Sequence, residues 1–263
     1  FGNPIGEPSL MKGNVSKDVV PNRIFVKERG LCWESNPVIC KTLNEANLYW
    51  GDIHGHTYLG DGLEDPSFFY EYARRVECLD FCAITEHDTW LDERKWEYIR
   101  KVNQRFYEPG EFVTLLGFEW SSAQSWDSNR HIYGHKCVYY PHEKGNFYSH
   151  LDKRFETPEK LWKALKQGES ITIAHHPAYA EAKDSVWGTD WNYHNDKMEP
   201  LVEIYSKHGL NEVFGNRWPL FSQDPERFVQ SALCRGYKLG FTGGTDTHIS
   251  RPASNMLEFR RGI

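Results

Sequence analysis

The stretch YWGDIHGHTYLGDG, Tyr49 to Gly62, decides how this chain is read. A short apolar run closes at Ile53, then His54 and His56 follow two residues apart and Asp61 five residues further on. In extended backbone, residues i and i+2 share a face, so both imidazoles can be offered to one cavity beside a carboxylate. Taken alone, such a pair is more often solvated or core histidine than ligand, so the rest of the chain has to decide.

From Asn47 onward, short apolar runs alternate with helical segments. NLYWGDI, FCAIT, FVTLLGF, KCVYY, SITIA, LVEIY and KLGFTG read as strands. Asp65-Pro66, Thr157-Pro158 and Asp224-Pro225 each place a capping side chain before a proline suited to the first helical position. TPEKLWKALKQG puts Leu161, Trp162 and Leu165 near one face and predicts a helix ending at Gly168. This alternation predicts βα units around a parallel sheet or barrel. Chemistry-bearing residues recur where the strands end: Glu86, His87 and Asp88 after FCAIT, Glu119 after FVTLLGF, His175 and His176 after SITIA, and Asp246 and His248 after KLGFTGG. Sites in such folds lie at the carboxyl ends of strands, so these groups are expected to converge in one crevice. Asp246 and His248 repeat the two-residue spacing. Mixed imidazole and carboxylate donors suit zinc, manganese or iron.

With 263 residues and 39% hydrophobic content, the chain can form one large domain with a small appendage. A formal net charge of −6 offers no basic field for a nucleic acid backbone, which favours a small substrate. No apolar run is long enough to span a bilayer, so no membrane partner is expected. The chain opens at Phe1 without Met, as a processed or trimmed protein would, so a soluble, periplasmic or secreted mature form is the expectation. Residues 1–46, with RIFV and PVIC among Gly, Pro and Asn, read as an N-terminal extension of loops and isolated strands. The six cysteines show no CxxC pair and read as buried reduced thiols, with a Cys32–Cys40 bridge as the alternative in an oxidising compartment.

GDIHGHTYLGDG, LDFCAITEHD, LLGFEW, YGHKCVYY, IAHHPA and GGTDTH, in that order, resemble the PHP (polymerase and histidinol phosphatase) superfamily. LVEIYSKHG and GYKLGFTGGTDTHISRP look most like a branch known only as a domain of unknown function. The resemblance runs from about Tyr49 to Pro252. It implies a distorted (β/α)7-type barrel over residues 47–263 that holds two to three divalent ions, manganese, zinc or iron. His54, His56, Glu119 and Asp246 would hold one ion. Glu119 would bridge to a second completed by His135 and His176, and Asp61, His87 and His248 would hold a third. His131 and His175 are the alternatives to His135 and His176, and the unused member of each pair would support a ligand or be structural. Two departures stand out. Glu86 occupies a position where the family more often has Asp. The chain also stops at SNMLEFRRGI, where the branch usually continues, which reads as a C-terminal truncation or a barrel that closes differently.

The function implied is hydrolysis of a small phosphoester by a metal-bound hydroxide in a di- or trinuclear site. A catalytically silent structural module, or an amide, lactone or sulfate-ester hydrolase using the same donors, are the alternatives. No G-x-S-x-G elbow or P-loop supports a serine nucleophile or nucleotide-driven transfer. His208, Lys207 and Arg251 are candidates for binding phosphoryl oxygens or protonating the leaving group. SVWGTDWNYHND is a candidate lid, and its aromatics, with those of EWSSAQSW, could wall a substrate pocket.

Overall fold

Fully buried strands carry runs of apolar residues on both faces, and the middle strands of the main sheet in this chain are of that kind. The computed structural model describes residues 25–28, 31–34, 49–122, 131–141, 144–182, 185–217 and 224–254. The chain divides into two units, Phe1–Leu48 and Tyr49–Ile263. In the first, β1 (Phe25–Glu28) and β2 (Leu31–Glu34) form an antiparallel pair with Phe25 opposite Glu34. PVIC and the Cys32–Cys40 alternative fall outside the described residues because Cys40 is not among them.

In the second unit the order is β3 (Gly51–Asp52), α1 (Pro66–Arg75), β4 (Phe81–Ile84), α2 (Glu93–Phe106), β5 (Val113–Ser121), β6 (His135–Tyr140) and α3 (Pro158–Ala164). There follow β7 (Ile171–His175), β8 (Ala180–Ala182), β9 (Ser185–Val186), β10 (Leu201–Ser206), β11 (Gly209–Leu210), α4 (Val229–Cys234) and β12 (Gly240–Gly243). The main sheet runs β3-β4-β5-β6-β7-β10-β11, with β12 also on β10.

The architecture is mixed α/β, and the expected parallel βα repeat is broken at β6. This strand runs antiparallel to both neighbours, with Ser121 opposite His135 and His135 opposite His175. All six of its residues are buried, so no alternation in the sequence betrays its direction. The described strands form a curled, half-barrel sheet. Among the described residues, the chain leaving β3 meets the chain leaving β12 through one isolated bridge, Gly55 to Thr247.

Helix caps explain the segments packed on the sheet. Asp65 accepts from the Ser67 amide at 2.7 Å ahead of Pro66, and α1 then buries Phe69, Tyr70 and Ala73 at helical spacing. Asp92 caps α2, whose buried Asn103 donates to the Tyr70 hydroxyl at 3.1 Å and ties the two helices together. Phe69, Tyr70, Ile84, Val102 and Phe112 form one core cluster, and Trp96, Ile99, Leu116, Phe118, Trp120 and Trp162 belong to another. Each such side chain contributes roughly 1.5–3 kcal/mol of burial free energy.

Two predicted helix features come out differently. The Asp224-Pro225 cap opens only a 3-10 turn, Pro225–Arg227, because Phe228 returns to extended backbone. The third helix stops at Ala164 rather than at Gly168, since Leu165 already has ψ of 142°; Gly168, at φ +82°, serves the turn beyond it. The thiols also differ from expectation: Cys82 and Cys137 are buried, whereas Cys78 and Cys234 are exposed. No helix among the described residues is long and apolar enough to cross a membrane.

Candidate metal centre

The strand ends gather imidazoles and carboxylates on one rim of the sheet. Since β6 runs antiparallel, it contributes its first residue there, and the register sets His135 between Ser121 and His175. Two buried carboxylates brace the loops from behind. Asp52 accepts from the amides of Thr245 (3.2 Å), Ala253 (2.8 Å) and His54 (3.3 Å), and from the Thr245 hydroxyl, which joins the first and last donor loops. Glu86 accepts from the Thr57 amide at 2.7 Å and from its hydroxyl, holding the turn that carries His56.

Glu119 sits at the middle of the group. One oxygen lies 2.5 Å from His135 Nδ1; the other lies 3.2 Å from His87 Nδ1 and 3.4 Å from Nε2 of both His54 and His56. Asp246 is 3.0 Å from His56 and 3.6 Å from His54, which brings together the four donors implied for a first ion. Asp61 lies 3.5 Å from His87 and 3.2 Å from His248, and these three with His56 form a second grouping. His135 groups with Glu119 and His87.

His176 offers a donor atom that groups with those of His175 and His208, and its ring centroid lies 4.6 Å from that of His135. Strand alternation would send His175 and His176 to opposite faces. The left-handed backbone of His176, φ +33°, instead turns both rings to the same side, 3.9 Å apart. Asp246 likewise has φ +51°, so it shares the cavity with His248 through a turn and not through the extended spacing expected.

A cavity of about 280 Å³ opens onto the group and is lined by Asp61, His87, Glu119, His135, His175 and His176, with Lys207, His208, Asp246, His248, Tyr179 and Trp187. His208 Nε2 is 2.9 Å from Asp246, and Lys207 Nζ contacts His248 Nδ1 and lies 3.8 Å from Asp246. Arg251 is not brought into this cavity: it is exposed, and its guanidinium lies over the Tyr72 ring. His131 also lies apart, half exposed and paired with Asp190 at 2.7 Å. Of the candidate lid, Trp187 lines the cavity while Trp191 is core. Trp120, from the other aromatic stretch, is core as well.

Charge in the group is strongly coupled. Burial works against a charged His56, yet Asp246, Glu86 and Glu119 overcome it and raise its pKa to about 9. Burial lowers His135 to about 4 despite Glu119. His176 is driven well below the usual imidazole range by burial and by His175, His135 and His208. Burial opposes ionisation of Glu119, but His87, His135 and His54 hold it well below the usual carboxylate range.

Several buried donors here have no hydrogen-bond partner: His56 Nδ1, His135 Nε2 and His176 Nδ1. Buried polar atoms are normally satisfied, so orphans grouped around one cavity fit coordination of a cation. The donor chemistry agrees, because neutral imidazole and carboxylate suit divalent transition ions. The chain therefore has a His and carboxylate cluster able to bind metal, with groups of three or four donor atoms within 4.8 Å of one another.

Sequence reasoning passed over Glu203. It sits in β10, is 3% exposed, and bonds His54 Nδ1 at 2.9 Å and His175 Nδ1 at 2.8 Å. A lone Glu inside LVEIY gives little signal, because one polar residue in a strand ordinarily marks a solvent face.

Fold and site together define an α/β protein with a buried cluster of imidazole and carboxylate donors able to bind metal. Residues 69–224, more than half of the chain, match the family described as a protein of unknown function, DUF3604, and the chain belongs to that family. It is 28% identical over 218 residues to an uncharacterised protein of Chlamydia pneumoniae, covering 80% of this chain and 33% of that protein. With an uncharacterised protein of Chlamydia muridarum the identity is 27% over 220 residues, covering 80% and 34%. The chain thus spans about a third of the length of the curated relatives it matches. Among solved structures, it is similar to a two-domain protein containing a predicted PHP-like metal-dependent phosphoesterase from Bacteroides vulgatus. That likeness has a TM-score of 0.47 and 16% identity, over 76% of this chain and 52% of that one. A protein from Bifidobacterium adolescentis, named for the metal-dependent phosphoesterases, gives 0.44 and 14%, over 80% and 92%. At that similarity neither name transfers to this chain.

Proposed function

We propose that this domain is a metal-dependent hydrolase of small phosphoesters, with Glu119 as the shared carboxylate of a centre for two or more divalent ions. The observation that carries this reading is one buried carboxylate within 2.5–3.4 Å of four imidazoles on three separate segments. His54, His56 and Asp246 would hold one ion with Glu119, while His135 faces its other oxygen, and His87, Asp61 and His248 complete the outer edge. His176, on the His208 side of the cavity, would join the ligands only for an ion held there. When bound, such ions neutralise charge on a phosphoryl oxygen and make water acidic enough to attack near neutral pH.

The chain's own groups supply the rest. Burial lowers the pKa of His208, so its imidazole is neutral at pH 7. With Nε2–H directed at Asp246, its Nδ1 is left to take a proton from the attacking water. Lys207 offers the cavity a cation for a non-bridging phosphoryl oxygen. Tyr179 and Trp187 wall the mouth, limit water entry and suit a small apolar leaving group; a nucleic acid is not the expected substrate.

A panel of phosphate, sulfate and carboxyl esters, each assayed with manganese, zinc or iron, tests the proposal. Metal-dependent release of phosphate from a small ester, abolished by chelator, is the expected result. Turnover of sulfate or carboxyl esters without phosphoesters would replace it, and a metal-replete protein inactive on all three would favour a structural module.

A further inference from the structure

We propose that Glu203 is a positioning carboxylate that fixes the tautomers of His54 and His175, and that His175 Nε2 joins His54 Nε2 and Asp246 as a donor to the same divalent transition ion. This rests on the metal-centre reading above and extends it to two residues which that reading does not use.

The geometry begins with Glu203, which as a carboxylate can only accept. Both imidazoles that touch it do so through Nδ1, His54 at 2.9 Å and His175 at 2.8 Å, one on each oxygen. Each therefore carries a proton on Nδ1, which in the neutral ring that binds a metal leaves Nε2 as the lone pair. Those lone pairs face carboxylates. His54 Nε2 is 3.4 Å from Glu119 and 3.6 Å from Asp246, and His175 Nε2 is 3.4 Å from Asp246 Oδ2. Acceptor against acceptor is repulsive unless a proton or a metal ion lies between them, and His208 Nε2 reaches Asp246 Oδ2 at 2.9 Å from another side. His54, His175, Glu203 and Asp246 are at most 3% exposed, so bulk water cannot relieve the contact.

The surroundings are shaped to this arrangement. The two rings lie edge to face with centroids 4.0 Å apart. Gly244 passes so close that a Cβ there would come within 2.8 Å of Glu203 Oε2 and 2.9 Å of His54 Cβ. The three donor atoms lie within 4.8 Å of one another. Two neutral imidazoles and one carboxylate make a donor set suited to zinc, iron or manganese. A carboxylate behind a metal-bound histidine commonly sets its ring and tautomer; here a single carboxylate would do so for two.

Cobalt(II) titration of the whole chain, read by equilibrium dialysis and by d–d absorption, provides the test. In His175→Ala one equivalent should weaken at least 10–100-fold, with a changed spectrum, while the others keep their affinity. Glu203→Gln should weaken that same equivalent, since its amide can accept from only one Nδ1–H and drives the other ring into the opposite tautomer. Unaltered number, affinity and spectrum in both variants would overturn the inference. If either variant fails to fold, the unmutated chain decides: with ¹⁵N-labelled histidine, zinc should shift Nε2 of His175 together with that of His54, and a stationary His175 signal overturns the inference. A wild-type chain that takes up no cobalt would instead defeat the metal-centre reading itself, so the two failures are distinguishable.

Discussion

His135 and Lys136 are neighbours on one buried strand, yet they face surroundings of opposite kinds. Alternation along β6 sends His135 toward the cavity, where its Nε2 has no partner, and Lys136 to the other side of the sheet. There Lys136, fully buried, meets Glu199 at 2.5 Å, with the Trp162 ring 5.6 Å from its ammonium. The pair is a self-neutralising unit inside the core, one cation against one anion. On the His135 side, many donors crowd two principal acidic groups and several are left unsatisfied around a common space. A buried charge that finds its opposite holds the fold together, whereas buried donors lacking mutual partners mark a place for something from outside.

The sharpest way to break this comparison is to remove the centre of each region. Glu119→Ala should lower metal content and turnover by more than the ~10–100-fold typical of supporting partners, while the chain stays folded. Lys136→Ala should do the reverse, costing about 3–5 kcal/mol of stability because Glu199 is left as a buried unpaired charge, with metal stoichiometry unchanged in the folded fraction. Denaturant melts and elemental analysis on both variants would read the contrast, and metal loss in Lys136→Ala at full occupancy of folded protein would erase it.

Protons sharpen it next. Without metal, His56 has its pKa raised to about 9, so the stability it contributes is fully present below about pH 6.5 and is lost as pH rises through 9. His135 has its pKa depressed to about 4, so its contribution is present above about pH 6.5 and is lost as pH falls through 4. The metal-free protein should therefore melt highest near pH 6.5, falling by a few kcal/mol toward either limit. Metal binding displaces the His56 proton, so affinity should rise with pH up to about 9. A pH-independent dissociation constant would show that His56 does not coordinate.

Smaller effects separate packing from paired surface groups. Gly244→Ala should reduce metal affinity about tenfold by pressing on Glu203 and His54, with little change in melting temperature. His131→Ala, which removes a half-exposed pair with Asp190 and ring contacts with Tyr133 and Tyr193, should leave metal content unaltered and cost no more than about 1 kcal/mol of stability.

Strand positions were legible in the sequence because burial demands apolar runs, and the donor clusters were legible because they punctuate the strand ends. The direction of β6 was hidden, since six buried residues carry no alternation. The turns at His176 and Asp246 were hidden too: their positive φ angles follow from tertiary closure, and nothing in AHHP or GTDTH signals a left-handed residue. Lys136 and Glu199 looked like ordinary polar positions, and only their pairing across the fold explains their burial. Glu203 was lost inside its strand for the same reason. The capping signal at Asp224 was real, as Asp224 accepts from the Glu226 amide at 3.0 Å, but a cap starts a helix without guaranteeing its length.

Whether the cluster is a metal centre is best asked of the untagged chain, purified without chelator, by elemental analysis beside Glu119→Ala. At least two equivalents of manganese, iron or zinc in the unaltered chain, and a marked loss in the variant, are predicted. No bound transition metal in the unaltered chain, even after incubation with each ion, would contradict the account.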